Sequence, residues 1–132
     1  MPTRRNIITL AAITVGMPAI VARAEGGGIT EFNDKAFHKA QAAGKSILLD
    51  VWASWCPTCK AQGPILKSLL DQPSNKSIMM FRVNFDTQTE VLKELRVQSQ
   101  STLIVFKGMK EMGRSVGDTD TASIGALLAG AI

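Results

Sequence analysis

The residues of this chain best placed to do chemistry are its only two cysteines, Cys56 and Cys59, which stand two apart in the stretch SILLDVWASWCPTCKAQGP. Thiols at that spacing can cycle between dithiol and disulfide, clip a metal ion, or close a small structural loop. A loop so short gains little closure entropy, which argues against an inert staple. A structural zinc site wants four Cys or His ligands, and beyond the pair the chain offers only His38, expected on the polar side of a first helix. Copper(I) is softer and could recruit Met79, Met80, Met109 or Met112, although methionines in strands ordinarily pack. Redox exchange therefore leads. A copper(I)- or peptide-binding module using the pair without turnover, and an inert disulfide, stand as alternatives.

The residues around the pair give each sulfur a different setting. Pro57 suits the first position of a helix, which would put Cys56 at the N-cap. Unsatisfied N–H groups and the positive end of the helix dipole stabilise a thiolate there. Such placement lowers a thiol pKa from ~8.5 into the range of roughly 3.5 to 7.5. Thr58 keeps an N–H that a proline would lack, and Cys59 follows one turn later, where it could resolve a mixed disulfide. Asp50 is a lone carboxylate in an apolar run, so burial should raise its pKa; it could then accept or relay the Cys59 proton, the alternative being a carboxylate hydrogen-bonded at a strand end with no part in the chemistry. Trp52 is expected in the core, Trp55 on the rim, and Lys60 in solvent.

These side chains need a scaffold, and the periodicities supply one. Residues 29–32 alternate as a short edge strand; Asn33-Asp34 caps a first helix that ends near Gly44. Residues 47–52 are apolar apart from Asp50, the mark of a strand covered on both faces. From Pro57 to Leu70 the period becomes helical, with Ala61, Ile65, Leu66, Leu69 and Leu70 as the apolar set and Pro64 expected to kink it. After a turn at 72–75, residues 78–85 read as a second central strand, and Thr87 to Glu90 as a capping box opening a third helix. A strand at 102–106, a turn at Lys107-Gly108, a strand at 111–116 and a helix begun near Asp118 to Asp120 complete the chain. The order predicts an α/β fold with a mixed central sheet flanked by helices. The cysteines fall where its first central strand gives way to a helix, at the sheet edge where sites concentrate.

At 132 residues, 45% apolar and 20% charged, the sequence makes one globular domain. Its first 24 residues differ: Arg4-Arg5, an uncharged apolar run and Ala22-Arg23-Ala24 read as a secretory signal peptide, expected to be cleaved after Ala24; the alternative is a membrane anchor, for which the run, with Gly16 and Pro18 in it, is short. The arginine pair resembles a twin-arginine export signal, though ordinary secretory signals also begin with basic pairs. A Gly-rich leader, 25–28, would then precede a domain at 29–132. The net charge is +4, and the signal holds three of the fifteen basic residues and none of the acidic ones, leaving +1. That gives no case for a nucleic-acid partner. Export to the periplasm places the thiols in an oxidising compartment, where pairing or cycling is expected.

The run Asp50-Val51-Trp52-Ala53-Ser54-Trp55-Cys56-x-x-Cys59-Lys60, with Pro64 following, resembles the active site of thioredoxins. Thr102 to Lys107 with Val116-Gly117 is similar to the closing hairpin of that family. The resemblance implies a thioredoxin-like fold and a monomeric thiol:disulfide oxidoreductase without bound cofactor or metal. In it Cys56 is nucleophile, Cys59 resolves, Asp50 moves the proton, and Cys56–Cys59 is the redox disulfide. It further implies substrate contacts from Trp55, Pro57, Thr58, Gln100, Ser101 and Thr102. Partners would be cysteine-containing exported proteins and a membrane thiol donor or oxidant for recycling, with reduction the expected direction. Two features depart from the family: Pro57-Thr58 replaces Gly-Pro, and Ser101 stands where the family has a cis-proline. A cis bond before serine costs ~2.5 to 4 kcal/mol, so a trans peptide is expected, with an added N–H and hydroxyl near the thiols.

Overall fold

The computed structural model describes Gly16 and residues 28–132; the rest of the expected signal peptide, its cleavage point and residues 25–27 of the leader lie outside the described residues. The scaffold grows from its most apolar strand. In β2 (Ser46–Trp52), Ile47, Leu48, Leu49 and Val51 are wholly buried, because helices cover both faces of the strand. Burying side chains of this kind stabilises by roughly 1.5 to 3 kcal/mol each. The neighbours of β2 are β3 (Met79–Asn84), parallel to it, and β4 (Thr102–Lys107), antiparallel. The two-residue β1 (Thr30–Glu31) adds to β3 and β5 (Lys110–Val116) to β4, giving the order β1-β3-β2-β4-β5.

Strand alternation divides the core in two. Ile47, Leu49 and Val51 point with Phe81 and Val83 toward Phe37 of α1 (Asp34–Ala42) and toward Val91 and Leu92 of α3 (Thr89–Glu94). Leu48 instead meets Leu66, Leu69 and Leu70 of α2 (Pro57–Leu70) and Ile124 and Leu128 of α4 (Thr121–Ala129). Asp50, two residues beyond Leu48, lies on this second face. The β4–β5 turn needs Gly108: its φ is +58°, its N–H reaches the Lys45 carbonyl at 2.9 Å, and an added Cβ would lie 3.3 Å from the Gly44 Cα.

Several local expectations are corrected. The helix α2 continues through Pro64, but its buried face carries Cys59, Gln62, Leu66, Leu69 and Leu70, while Ala61 is exposed. Residues 87–90 do not form a capping box. Asn84 Oδ1 instead accepts from the N–H groups of Asp86 and Thr87, and Gln88 becomes the N-cap of α3 without a side-chain capping bond. Trp52 is half-buried rather than in the core. The turn at 72–75 contains a short 3₁₀ segment, Pro73–Asn75.

Candidate active site

The chain leaves β2 at Trp52, turns through Ala53 to Trp55 and enters α2 at Pro57, so Cys56 becomes the N-cap. Its sulfur accepts the Cys59 N–H at 3.1 Å, the capping bond that a Ser or Asp oxygen would ordinarily accept. Both cysteines are buried free thiols, the dithiol form of the expected redox pair. Around them Trp55 and Pro57 are exposed and Thr58 half-buried. Trp55 donates its ring N–H to the Asp86 carboxylate at 3.0 and 3.2 Å, which fixes the indole at the rim.

Opposite the pair sits Ser101, and its pose is unusual. Its φ is +63°, in the left-handed region that non-glycine residues seldom occupy; holding one there costs of order 1 to 3 kcal/mol. Contacts from separate elements hold it. Its N–H donates to the Val51 carbonyl at 2.8 Å, and its carbonyl accepts from the Gly117 N–H at 3.0 Å and the Gln62 Nε2 at 3.3 Å. Its hydroxyl lies 3.1 Å from the Cys56 sulfur and 3.1 Å from the Cys59 sulfur. No peptide bond among the described residues is cis, as expected for a serine at this position.

The two sulfurs differ in electrostatics. Burial pushes the Cys56 thiol up, but hydrogen bonds from the Cys59 thiol, the Ser101 hydroxyl and the N–H groups of Cys59 and Thr58 outweigh it, leaving Cys56 below its ordinary value. Burial likewise pushes Cys59 up, its hydrogen bond to Cys56 adds to the rise, and Ser101 and the Ala53 backbone offset only part. Asp50 is 3% exposed, and burial raises its pKa from 3.8 to about 6 against the pull of Arg82. The Arg82 Nε is 3.5 Å from Asp50 Oδ2, and Asp50 Oδ1 has no hydrogen-bond partner. The Arg82 guanidinium also lies over the Trp52 ring, 4.8 Å from its centroid.

The expected substrate contacts divide. Trp55, Pro57, Thr58 and Gln100 retain exposed surface. Ser101 is instead buried against the sulfurs, and the buried Thr102 hydroxyl donates to the Ser99 carbonyl at 2.7 Å, so neither side chain faces outward. The soft metal ligands are not assembled: Met80 packs in the cluster of Leu48, Leu66 and Leu69 and not in that of the cysteines, and no group of three or more His, Cys, Asp or Glu suited to a metal occurs among the described residues. His38 is exposed and pairs with Gln41.

Two residues of the site escaped sequence reasoning. Gln62 ties α2 to the Ser101 loop and, at 2.8 Å, to the Asp118 carbonyl. Its spacing from Cys59 and Leu66 places it on the buried helical face, a signal that was available. Arg82 shares its strand face with Met80, but only the β2–β3 register sets it beside Asp50.

Comparison with known proteins agrees with this geometry. The thioredoxin family profile matches residues 28–129. The chain belongs to the thioredoxin family. It is 32% identical to a thioredoxin of Chlorobaculum thiosulfatiphilum over 92 residues, covering 69% of this chain and 84% of that protein. To a thioredoxin of Chlamydia caviae it is 38% identical over 78 residues, 59% of this chain and 74% of that one. Among solved structures, Trxlp from Edwardsiella tarda superposes with a TM-score of 0.74 at 42% identity, over 76% of this chain and 98% of that one. The protein is thus a thiol:disulfide oxidoreductase, and thioredoxins act on disulfide-containing protein substrates.

Proposed function

We propose that this thioredoxin-family protein is an exported, monomeric reductase of protein disulfides, working in the periplasm after cleavage behind Ala24. The observation that carries the chemistry is the asymmetry of the pair: Cys56 accepts the N-cap hydrogen bond and is held low, while Cys59 is pushed up. The Cys56 thiolate attacks one sulfur of a substrate disulfide; that S–S bond breaks, and the departing sulfur keeps the electron pair and takes a proton from water. Cys59 then loses its proton, through water, to Asp50. With a pKa of about 6 this carboxylate is mostly ionised at neutral pH yet basic enough to accept it. The Cys59 thiolate attacks the Cys56 sulfur, closing Cys56–Cys59 and releasing the second substrate thiolate, so two electrons have passed to the substrate. Trp55, Pro57, Thr58 and Gln100 form the surface the substrate meets. A membrane thiol donor restores the dithiol.

The direction is tested by the reduction potential of the Cys56/Cys59 couple: a reductase should fall near the ~−270 mV of thioredoxin, and a value near ~−120 mV would mark an oxidant. Export is tested by N-terminal sequencing of the protein from a periplasmic fraction. A chain beginning at Glu25 supports it, and an intact Met1 in the cytoplasm overturns it.

A further inference from the structure

Ser101 presents one hydroxyl to two sulfurs, and the rest of that residue is held so that it must. The 3.1 Å separations to Cys56 and Cys59 are both within hydrogen-bonding range of sulfur. The backbone N–H and carbonyl are already engaged by Val51, Gly117 and Gln62, so the chain on both sides fixes the Cβ while leaving the hydroxyl free to rotate. Such a hydroxyl has one proton to donate. It can therefore serve either sulfur as donor, one at a time, within a buried site where the bond is strong. In an exchange cycle the negative charge is carried by one cysteine and then by the other.

We infer that Ser101 is a third catalytic residue of the exchange reaction, whose hydroxyl donates to the Cys56 thiolate in the dithiol and turns to the Cys59 thiolate once Cys56 is tied up in the mixed disulfide. This rests on the exchange chemistry proposed above and adds a group to it. In the dithiol the O–H points at the Cys56 thiolate, which also receives the Cys59 S–H. When the Cys56 sulfur bonds to substrate, its charge leaves with the first substrate thiolate, and the hydroxyl loses its better acceptor. As Cys59 gives up its proton to Asp50, the O–H rotates onto the new thiolate, whose sulfur lies 3.1 Å from the hydroxyl oxygen and which then attacks Cys56. Ser101 keeps its own proton throughout, so the hydroxyl follows the charge without adding a transfer step. Its contact with each cysteine favours the ionised thiol, which agrees with such a role.

The test is Ser101→Gly, since glycine accepts a φ of +63° and the variant removes the hydroxyl without adding backbone strain. Ser101→Ala serves as a second, Cβ-retaining probe. The reduced full chain is mixed with excess of a small aromatic disulfide, whose thiolate is coloured. One equivalent is released when Cys56 attacks and a second when Cys59 resolves. Losing a charge-assisted hydrogen bond should reduce each thiolate population about tenfold. The less stabilised thiolate regains about threefold in nucleophilicity, so each phase should slow by about threefold wherever its thiol is mostly protonated. For the first phase the pH profiles of variant and parent should cross, the variant being slower below the midpoint and faster above it. A merely structural role would not produce that crossing. A phase unchanged across the pH range in both variants would overturn the shared role, as would slowing of the first phase alone. A second release that survives Cys59→Ser would overturn the exchange chemistry itself, and this proposal with it.

Discussion

Replacing Asp50 by asparagine should make the folded protein more stable at neutral pH while impairing its chemistry. In the folded state this carboxyl titrates at about 6, against 3.8 for an ordinary aspartate. The folded pKa is the higher one, so the stabilising contribution is fully present below pH 3.8 and is lost as pH rises through about 6. At 1.36 kcal/mol per pH unit, the difference between 3.8 and about 6 amounts to about 3 kcal/mol. Asp50→Asn resembles the protonated form and escapes that loss. Arg82 would lose its ion-pair partner, but its side chain is 23% exposed and can be hydrated. Urea denaturation of reduced wild-type and variant protein, at one pH below 3.8 and one above 6, isolates the site as a difference of differences. The variant should gain about 3 kcal/mol over wild type on going from acid to neutral pH. An unchanged gap between the two proteins at both pH values would refute the assignment of a raised pKa to Asp50. The same variant should resolve mixed disulfides more slowly at neutral pH, because Cys59 loses its proton acceptor.

Other consequences follow from the same contacts. Thr58→Pro removes an N–H that lowers the Cys56 pKa, so ultraviolet titration of the thiolate should show Cys56 ionising at higher pH, and an equal or lower midpoint would count against that N–H. Arg82→Gln withdraws the charge that pulls Asp50 down, so the acid-to-neutral stability loss should shift to higher pH, readable in the same urea experiment. Gln62→Ala leaves the Ser101 and Asp118 carbonyls without their side-chain donor and should cost about 1 to 3 kcal/mol in chemical denaturation.

How much of this was legible beforehand depended on how local each feature is. The N-cap position of Cys56 follows from Pro57 and the helical period after it, all within a few residues, and the structure reproduces it. The burial of Asp50 follows equally from its apolar flanks in β2. Features set by chain segments meeting at a distance were not readable. Arg82 reaches Asp50 only through the β2–β3 register, and the Gln62 side chain bonds carbonyls far along the chain. Ser101 was placed near the thiols by resemblance, but that its hydroxyl would stand at equal distance from both sulfurs depends on a φ of +63° that no pattern in the sequence announces. The misread capping box at 87–90 shows the same limit on a smaller scale, since the competing Asx turn draws its acceptor from Asn84 at the end of β3.

The central claim, that Cys56 attacks and Cys59 resolves, is tested most directly by trapping. Cys59→Ser and Cys56→Ser proteins are each incubated with a disulfide-containing protein, and the adducts are mapped by mass spectrometry. Stable mixed disulfides at Cys56 in the Cys59→Ser protein, with few or none at Cys59 in its counterpart, are the predicted result. Adducts forming as readily on Cys59 would contradict it.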